Sequence, residues 1–233
     1  MPPTRLRLPR PRLPARPLNA PTTRNFLSSV LPSSPLPPQT LTASRRLPYN
    51  HAALYGLIAD INSYSAFLPY CSISRVTSWT THPDPEYGRR WPTRADLTAG
   101  WGGLEQTYTS RVFCVPGSIV EALSGAGARS GIAPEILARH GLRDEPLSLN
   151  TKEEREEGVF KTLVTRWTVT PVNKGAPQTD GVSVPQTQWS DIDLSIRFQF
   201  ANPLYAAVSA TVAHKVAPVM IEAFVERARK VLG

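Results

Sequence analysis

Residue types that commonly carry chemistry are sparse in this chain of 233 residues and follow no recognised catalytic spacing. No two histidines have the HxH or HxxxH spacing of a metal site, and the two cysteines, Cys71 and Cys114, form no CxxC motif. The sequence also contains neither a GxSxG elbow nor a Walker loop. We therefore predict a binding protein that is not an enzyme, with no catalytic residue, no metal and no catalytic cofactor. The four histidines are His51, His82, His140 and His214.

Two carboxylates in predicted strands could stand at the mouth of a pocket. Glu105 and Glu121 are the best placed acidic residues for this role, because strand side chains can point into a site. Both positions fit the solvent-facing half of a period-two alternation equally well. The pattern leaves a pocket role and a solvated role open for both residues.

A glycine-rich stretch, SGAGARSGIAPEILARHG at 124–141, follows a predicted strand and invites a dinucleotide-binding interpretation. Gly125 and Gly127 match the first two positions of a GxGxxG motif, but Ser130 stands where the third glycine is needed. The chain then enters the charged segment TKEEREEG, and no second apolar strand supplies a ribose-binding acid. We therefore predict a surface insertion at about residues 124–158, with a helix starting near Ala133.

The elements that would position any site are one short helical region, a succession of strands and one long helix. Asn50 is predicted to cap a first helix, which continues as a helical turn before Pro69. Period-two alternation predicts strands at 72–79, 93–101, 104–115, 117–123, 160–172 and 190–201. From residue 203 onward, an apolar stripe predicts one helix. The stripe comprises Leu204, Val208, Val212, Val216, Met220 and Phe224.

These elements predict an α+β fold in which a curved antiparallel sheet wraps around the long C-terminal helix. Several large strand residues are candidates to face the helix, whereas the flanks of the helix carry many alanines. Small residues along a helix permit either close packing or a tunnel, so the pattern leaves a packed core and a cavity open. The large candidates are Phe113, Trp167, Phe198 and Phe200.

The net charge of +8 is concentrated at the N-terminus. Eight of the 26 basic residues precede Leu47, so residues 47–233 hold 18 basic residues against 18 acidic ones. An arginine-rich segment without acids and with many Ser and Thr is typical of a mitochondrial transit peptide. The alternative is a disordered basic tail that binds nucleic acid or acidic lipid. We predict a transit peptide or disordered arm at 1–46 and a folded domain at 47–233 that binds no nucleic acid.

Four segments resemble the coenzyme Q-binding members of the START superfamily, which is related to polyketide cyclase-like proteins. The segments are LYGLIADINSYSAFLPYC, LTAGWGGLEQTYTSRV, GVFKTLVTRWTVTPV, and the closing IRFQFANPLYAAV with VMIEAFVERARKVLG. Together they cover residues 47–123 and 159–233 in order. The chain departs from the family at Tyr70, where Trp is common, and in the longer insertion at 124–158.

The resemblance implies a START-like helix-grip fold whose internal hydrophobic cavity binds ubiquinone. The implied role is a chaperone or carrier that delivers ubiquinone for respiratory-chain electron transport and supports its biosynthesis. It would work at the matrix side of the mitochondrial inner membrane, in peripheral contact with it, with quinone-biosynthesis or respiratory complexes as partners. The implied cavity residues are Phe67, Leu68, Pro69, Tyr70, Tyr108, Val112, Phe113, Trp167, Phe198, Phe200, Val212, Val216, Met220 and Phe224.

The resemblance also suggests why apolar residues concentrate in YSAFLPY at 64–70. Phe67, Leu68 and Tyr70 would form an exposed lip at the cavity mouth that dips into a bilayer. The alternative is that Phe67 and Tyr70 cap the core. Two other functions stay open: a cyclase-type enzyme, which needs a polar or titratable group deep in the cavity, and a ribosome-associated interaction protein, which a neutral domain disfavours.

Overall fold

The structure is a computed structural model that describes residues 37–101, 104–144, 159–172, 188–202 and 213–233. Its strands are β1 Gln39–Leu47, β2 Cys71–Trp79, β3 Pro92–Trp101, β4 Leu104–Val115, β5 Ile119–Ser124, β6 Phe160–Val172 and β7 Trp189–Phe200. Its α-helices are α1 His51–Ala59, α2 Pro134–Arg139 and α3 Ala213–Leu232, and a 3₁₀ helix spans Ile61–Ala66.

The seven strands of the described chain form one antiparallel sheet in the order β1-β7-β6-β5-β4-β3-β2. Helices α1 and α3 pack on one face, which we term the inner face, and share a single hydrophobic core with it. The antiparallel sheet and the long C-terminal helix confirm the predicted α+β helix-grip fold.

Six of the strands lie within two residues of their predicted bounds, because their period-two alternation matches a sheet with two different faces. The predicted cap of α1 is also confirmed: Asn50 Oδ1 accepts a hydrogen bond of 2.7 Å from the Ala52 backbone N–H. The described part of the last helix begins at Ala213. The stripe residues Leu204, Val208 and Val212 lie outside the described residues.

Strand β1 shows that the predicted boundary at residue 46/47 is wrong. Residues 39–47 pair with β7, from Gln39 opposite Phe198 to Leu47 opposite Ser190. Arg46 belongs to this strand and binds Asp191 at 2.7 Å. The strand escaped the sequence analysis because it lies at the sheet edge and only its alternate residues are partly buried, so its polar sequence resembles a tail. Residues 1–36 lie outside the described residues.

The outer face of the sheet carries a second, smaller core. Here Leu123 and Val164 of the sheet pack against Ile132 and Leu137 from the segment after β5. The described part of the predicted insertion, including α2, therefore packs on the sheet. The helix starts one residue after the predicted position, with Ala133 at its N-cap.

Candidate functional site

A cavity of about 180 Å³ lies between the inner face of the sheet and α3. By the same measure a single water needs only roughly 10–15 Å³, so the space is large enough for part of an organic ligand. Alternate strand residues form most of its wall, as the period-two geometry requires. The strand residues include Gln106, Tyr108, Ser110 and Val112 of β4, Val120 and Ala122 of β5, Leu163, Thr165 and Trp167 of β6, and Ile196, Phe198 and Phe200 of β7.

The described wall of the cavity is uncharged. It contains no Asp, Glu, His, Lys or Arg among the described residues, and most of its surface comes from aliphatic and aromatic side chains. Its polar side chains include Gln106, Tyr108, Ser110 and Thr165. Such a wall suits an apolar ligand with a few hydrogen-bonding atoms.

One end of the cavity, which we term the deep end, is lined by the buried Trp167. Trp167 packs there against Phe224 of α3, with ring centroids 4.3 Å apart. Phe67 and Tyr64 contact the same Phe224 ring at 4.9 Å and 5.5 Å. This aromatic cluster joins the cavity wall to the hydrophobic core that includes Val225 and Ala228 of α3.

The other end of the cavity, which we term the mouth, reaches the protein surface at Tyr70. Tyr70 lines the cavity and is 40% exposed. Its backbone has φ 65°, a left-handed conformation that is unusual for a bulky residue. A hydrogen bond of 2.9 Å from Gly100 N–H to the Tyr70 carbonyl ties this turn to the end of β3. Phe160 and Phe200, which are paired in the sheet, line the same end.

Trp167 combines a place in the cavity wall with a buried hydrogen-bond donor that has no partner among the described residues. The residue is 2% exposed, and its buried indole N–H has no hydrogen-bond partner among the described residues. An unsatisfied buried donor costs about 1–3 kcal/mol, so a ligand atom that accepts this bond would remove the penalty. Sequence reasoning identified the Trp167 ring but missed the free donor, because the partners of a side chain depend on tertiary packing.

Two other groups in the wall are held in their neutral forms. Burial, with a smaller contribution from the nearby Cys71, raises the pKa of Tyr108, so its hydroxyl stays protonated and can donate a hydrogen bond. Burial also raises the pKa of Cys71. A neutral thiol is a poor nucleophile, so Cys71 is not poised to attack a bound ligand. Away from the wall, burial raises the pKa of Cys114 to about 12.

The structure brings ten of the fourteen predicted cavity residues together around this space. Val212 lies outside the described residues, and Phe67 and Phe224 belong to the aromatic cluster at the deep end. Tertiary contacts place those two rings beside the cavity. The ten residues are Leu68, Pro69, Tyr70, Tyr108, Val112, Trp167, Phe198, Phe200, Val216 and Met220.

The prediction for Phe113 is wrong. Its side chain lies in the outer-face core, whereas Val112 lines the cavity. Adjacent residues of a strand point to opposite faces, so the two could not both face the ligand.

The predicted exposed lip of Phe67, Leu68 and Tyr70 is wrong for two of its three residues. Leu68 is only 6% exposed, and Phe67 is half-buried. Tyr70 alone of the three has the predicted exposure.

The two candidate carboxylates have different surroundings. Glu121 is fully buried on the outer face, where it accepts hydrogen bonds of 2.5 Å from both Arg166 Nη2 and Ser130 Oγ. It is therefore not a pocket-mouth residue. Glu105 is exposed and accepts a hydrogen bond from Ser72 Oγ. Across the described parts of the chain, no three His, Cys, Asp or Glu residues are grouped so that they could hold a metal ion.

A family model described as polyketide cyclase/dehydrase and lipid transport matches residues 47–225. The chain belongs to this family. Its fold is shared with a START superfamily protein from Mycobacterium smegmatis, with a TM-score of 0.52 and 8% identity, over 82% of this chain and 98% of that one. A protein from Thermus thermophilus gives a TM-score of 0.53 and 12% identity, over 84% of this chain and 100% of that one.

Relatives within the family have more than one named function. The mitochondrial coenzyme Q-binding protein coq10 of Schizosaccharomyces pombe is 29% identical over 187 residues, which cover 80% of this chain and 85% of that protein. The ribosome association toxin RatA of Pseudomonas aeruginosa is 26% identical over 190 residues, which cover 82% and 95%. These matches confirm the resemblance found in the sequence motifs. None of the helices described is long and apolar enough to cross a membrane.

Proposed function

We propose that this protein binds ubiquinone in the cavity and acts as a carrier or chaperone, which delivers it for respiratory electron transport and supports its biosynthesis. The observation that carries the proposal is an uncharged cavity that is open at Tyr70 and is lined at its other end by Trp167, whose buried N–H has no partner among the described residues. The coenzyme Q-binding protein of S. pombe, aligned over four fifths of this chain, supports the choice of ligand.

The two ends of the cavity suit the two parts of a prenylated quinone. A carbonyl oxygen of the head group would accept the hydrogen bond of Trp167, and the Trp167 ring would contact the planar head. A space of about 180 Å³ is small beside a long polyprenyl chain, so the remainder of the tail would leave through the mouth. Water disfavours each exposed CH₂ by about 0.8 kcal/mol, so this part of the tail requires a bilayer or another apolar cover.

The chemistry of the wall supports binding rather than a cyclase-type reaction. Such a reaction needs a group that exchanges protons near neutral pH. The titratable side chains of the described wall are tyrosines and Cys71, and burial raises the pKa of Cys71, Tyr64 and Tyr108.

Association with ribosomes is the second candidate function, suggested by the RatA relative. Residues 39–233 hold 20 basic and 18 acidic residues, a small excess for binding RNA.

The proposed location is the matrix side of the mitochondrial inner membrane. The six arginines before Gln39, with no acidic residue among them, support a transit peptide within residues 1–38. The mitochondrial coenzyme Q-binding relatives support the same compartment. Quinone-biosynthesis or respiratory complexes are the partners that this role would require.

Solvent extraction of purified protein from a ubiquinone-producing host, followed by mass spectrometry, tests the ligand. We expect ubiquinone to copurify with the natural chain and to be lost from Val216→Asp, because Val216 lines the cavity and a carboxylate there would face the apolar ligand. Val231→Asp, at an exposed position near the other end of α3, is the matched control and should retain quinone. Absence of quinone from the natural chain, together with no binding of added quinone, would contradict the proposal.

A further inference from the structure

Strand β4 carries a stripe of polar side chains in the cavity wall. Gln106, Tyr108 and Ser110 occupy three successive inward positions of this strand. The residues opposite the first two on β3 are the apolar Ala99 and Leu97, which also line the cavity. The stripe therefore stands out in a wall that is mostly aliphatic and aromatic, and it extends from the mouth towards the middle of the cavity.

The innermost member of this stripe already has a side-chain partner. The Oγ atoms of Ser110 and Ser124 form a hydrogen bond of 2.7 Å, and Ser124 Oγ donates to the Thr109 carbonyl at 2.9 Å. The side chains of Gln106 and Tyr108 are half-buried and form no hydrogen bond with other residues that the structure describes. We term these two residues the outer polar pair. Both are neutral, and both can donate and accept hydrogen bonds.

The outer polar pair lies too far from Trp167 to contact the same head group. Ser124 of β5 pairs with Leu163 of β6 and bonds Ser110 of β4, so these three residues form one row across the sheet. Trp167 lies four residues beyond this row towards the deep end, and Tyr108 lies two residues beyond it towards the mouth. Six residues of extended strand separate them by about 20 Å along the strands. With the head group at Trp167, the prenyl tail would cover the outer polar pair, although the tail has no hydrogen-bonding atom.

Aromatic rings complete the surroundings of the outer polar pair. The ring of Tyr108 meets that of Phe160 edge-on, with centroids 5.5 Å apart, and Phe160 stacks on Phe200 at 5.1 Å. All three residues line the cavity. Flat rings beside neutral hydrogen-bonding groups suit a planar head group with carbonyl oxygens, whereas a polyprenyl chain would use only the apolar part of this surface.

We propose that Gln106 and Tyr108, with the rings of Phe160 and Phe200, form an outer head-group subsite that holds the quinone ring while the ligand enters or leaves the cavity. Hydrogen bonds made there replace part of those that the head group gives up at the mouth, and so lower the barrier to its passage towards Trp167. This inference rests on the proposed function. It goes beyond it by assigning residues that set the exchange rate and favour the entry of lipids with a polar, planar head.

Exchange of ubiquinone between the full chain and phosphatidylcholine vesicles tests the subsite. Stopped-flow quenching of tryptophan fluorescence gives the rates of uptake and release, and equilibrium titration gives the affinity. We expect Tyr108→Phe, which keeps the ring beside Phe160, to slow uptake and release about threefold to tenfold, because one hydrogen bond to the passing head group is lost. Gln106→Met should have the same effect. The equilibrium affinity should change less than about twofold, since the tail covers these positions in the resting complex.

Tyr55→Phe is the matched control for Tyr108→Phe. Tyr55 is fully buried and is not part of the described cavity wall, so neither rate should change. Unchanged rates in Tyr108→Phe and Gln106→Met, or equal slowing in Tyr55→Phe, would overturn the subsite. A loss of equilibrium affinity without slower exchange would also overturn it, because the head group would then rest at the outer polar pair.

The natural chain separates failure of this subsite from failure of the proposed function. If the natural chain takes up no ubiquinone, the proposed function and the subsite are both rejected. If it exchanges ubiquinone at rates that Tyr108→Phe and Gln106→Met leave unaltered, the subsite alone is rejected and the ligand assignment stands.

Discussion

Trp167 combines close ring packing with an N–H that finds no acceptor in the described protein. Buried donors in folded proteins are nearly always paired, so an exception on a residue that lines a cavity is a candidate position for a ligand acceptor. The neutral side chains around it favour the same kind of ligand. Tyr108 stays protonated and can donate a hydrogen bond. The described wall has no charged side chain that would have to lose its hydration when an apolar ligand binds.

Trp167→Phe tests this donor by removing it together with one of the two fused rings. We expect ubiquinone affinity to fall about threefold to tenfold, because one hydrogen bond contributes about 0.5–1.5 kcal/mol. The melting temperature of the quinone-free protein should fall moderately, because the lost ring leaves a cavity beside Phe224 and removal of an unsatisfied donor offsets only part of this cost. Quinone titration followed by fluorescence, alongside thermal melting, measures both quantities.

Trp91→Phe is the control for Trp167→Phe. Its indole N–H is also buried without a partner in the described structure, but Trp91 packs against Tyr55 and Tyr87 and does not line the cavity. Quinone affinity should be unchanged in this variant. An equal loss of affinity in both variants would show that general loosening of the core, rather than the donor at Trp167, is responsible.

At the scale of elements, β1 completes the cavity wall although its sequence resembles a tail. All nine residues of β1 pair with β7. Leu41 lines the cavity, and Arg45 forms an ion pair with Glu222 of α3. The strand therefore links the sheet edge to the helix that covers the ligand. A transit peptide removed after import would have to be cleaved before Gln39 to leave this wall intact.

Two N-terminal truncations test the role of β1. Removing residues 1–38 should leave the melting temperature and quinone binding unchanged, because the full strand remains. Removing residues 1–47 should lower stability strongly and abolish quinone binding, since it deletes a paired strand and exposes the edge of β7. Circular dichroism melting and quinone extraction decide between the outcomes. A shorter chain that melts and binds like the longer one would contradict the assignment.

At the scale of the whole molecule, charge is divided between a basic N-terminal segment and a nearly neutral domain. Six of the 26 basic residues precede Gln39, leaving 20 in residues 39–233 against 18 acidic ones. This division separates the proposed import signal from the proposed lipid-binding unit.

A fluorescent reporter fused after residues 1–38 tests the import signal. We expect the fusion to accumulate in mitochondria, because arginines without acidic neighbours are drawn towards the negative matrix. Replacing the six arginines of that segment with glutamine should leave the reporter in the cytosol. A cytosolic location for the unmodified fusion would refute the transit-peptide proposal, while leaving quinone binding by residues 39–233 untested by that result.

Sequence alone was sufficient for six strands, for the capped first helix and for the fold class. Period-two alternation and the Asn50 cap are local properties, which a chain carries wherever it folds. The motifs also led to ten residues that the structure brings around one cavity. The wrong assignment of Phe113 to the cavity could have been avoided from the sequence. Adjacent residues of a strand face opposite sides, so placing Val112 on the inner face already excluded Phe113 from it.

Tertiary structure alone decided which apolar residues are core and which surround a space. Leu68 and Tyr70 are two positions apart in one turn, yet packing buries the first and leaves the second exposed. Strand β1 and the Glu121–Arg166 pair depend on partners far away in the chain. The free N–H of Trp167 is defined by the absence of a neighbour among the described residues. Local sequence carries no record of such partners, because they are set by which strands and helices meet.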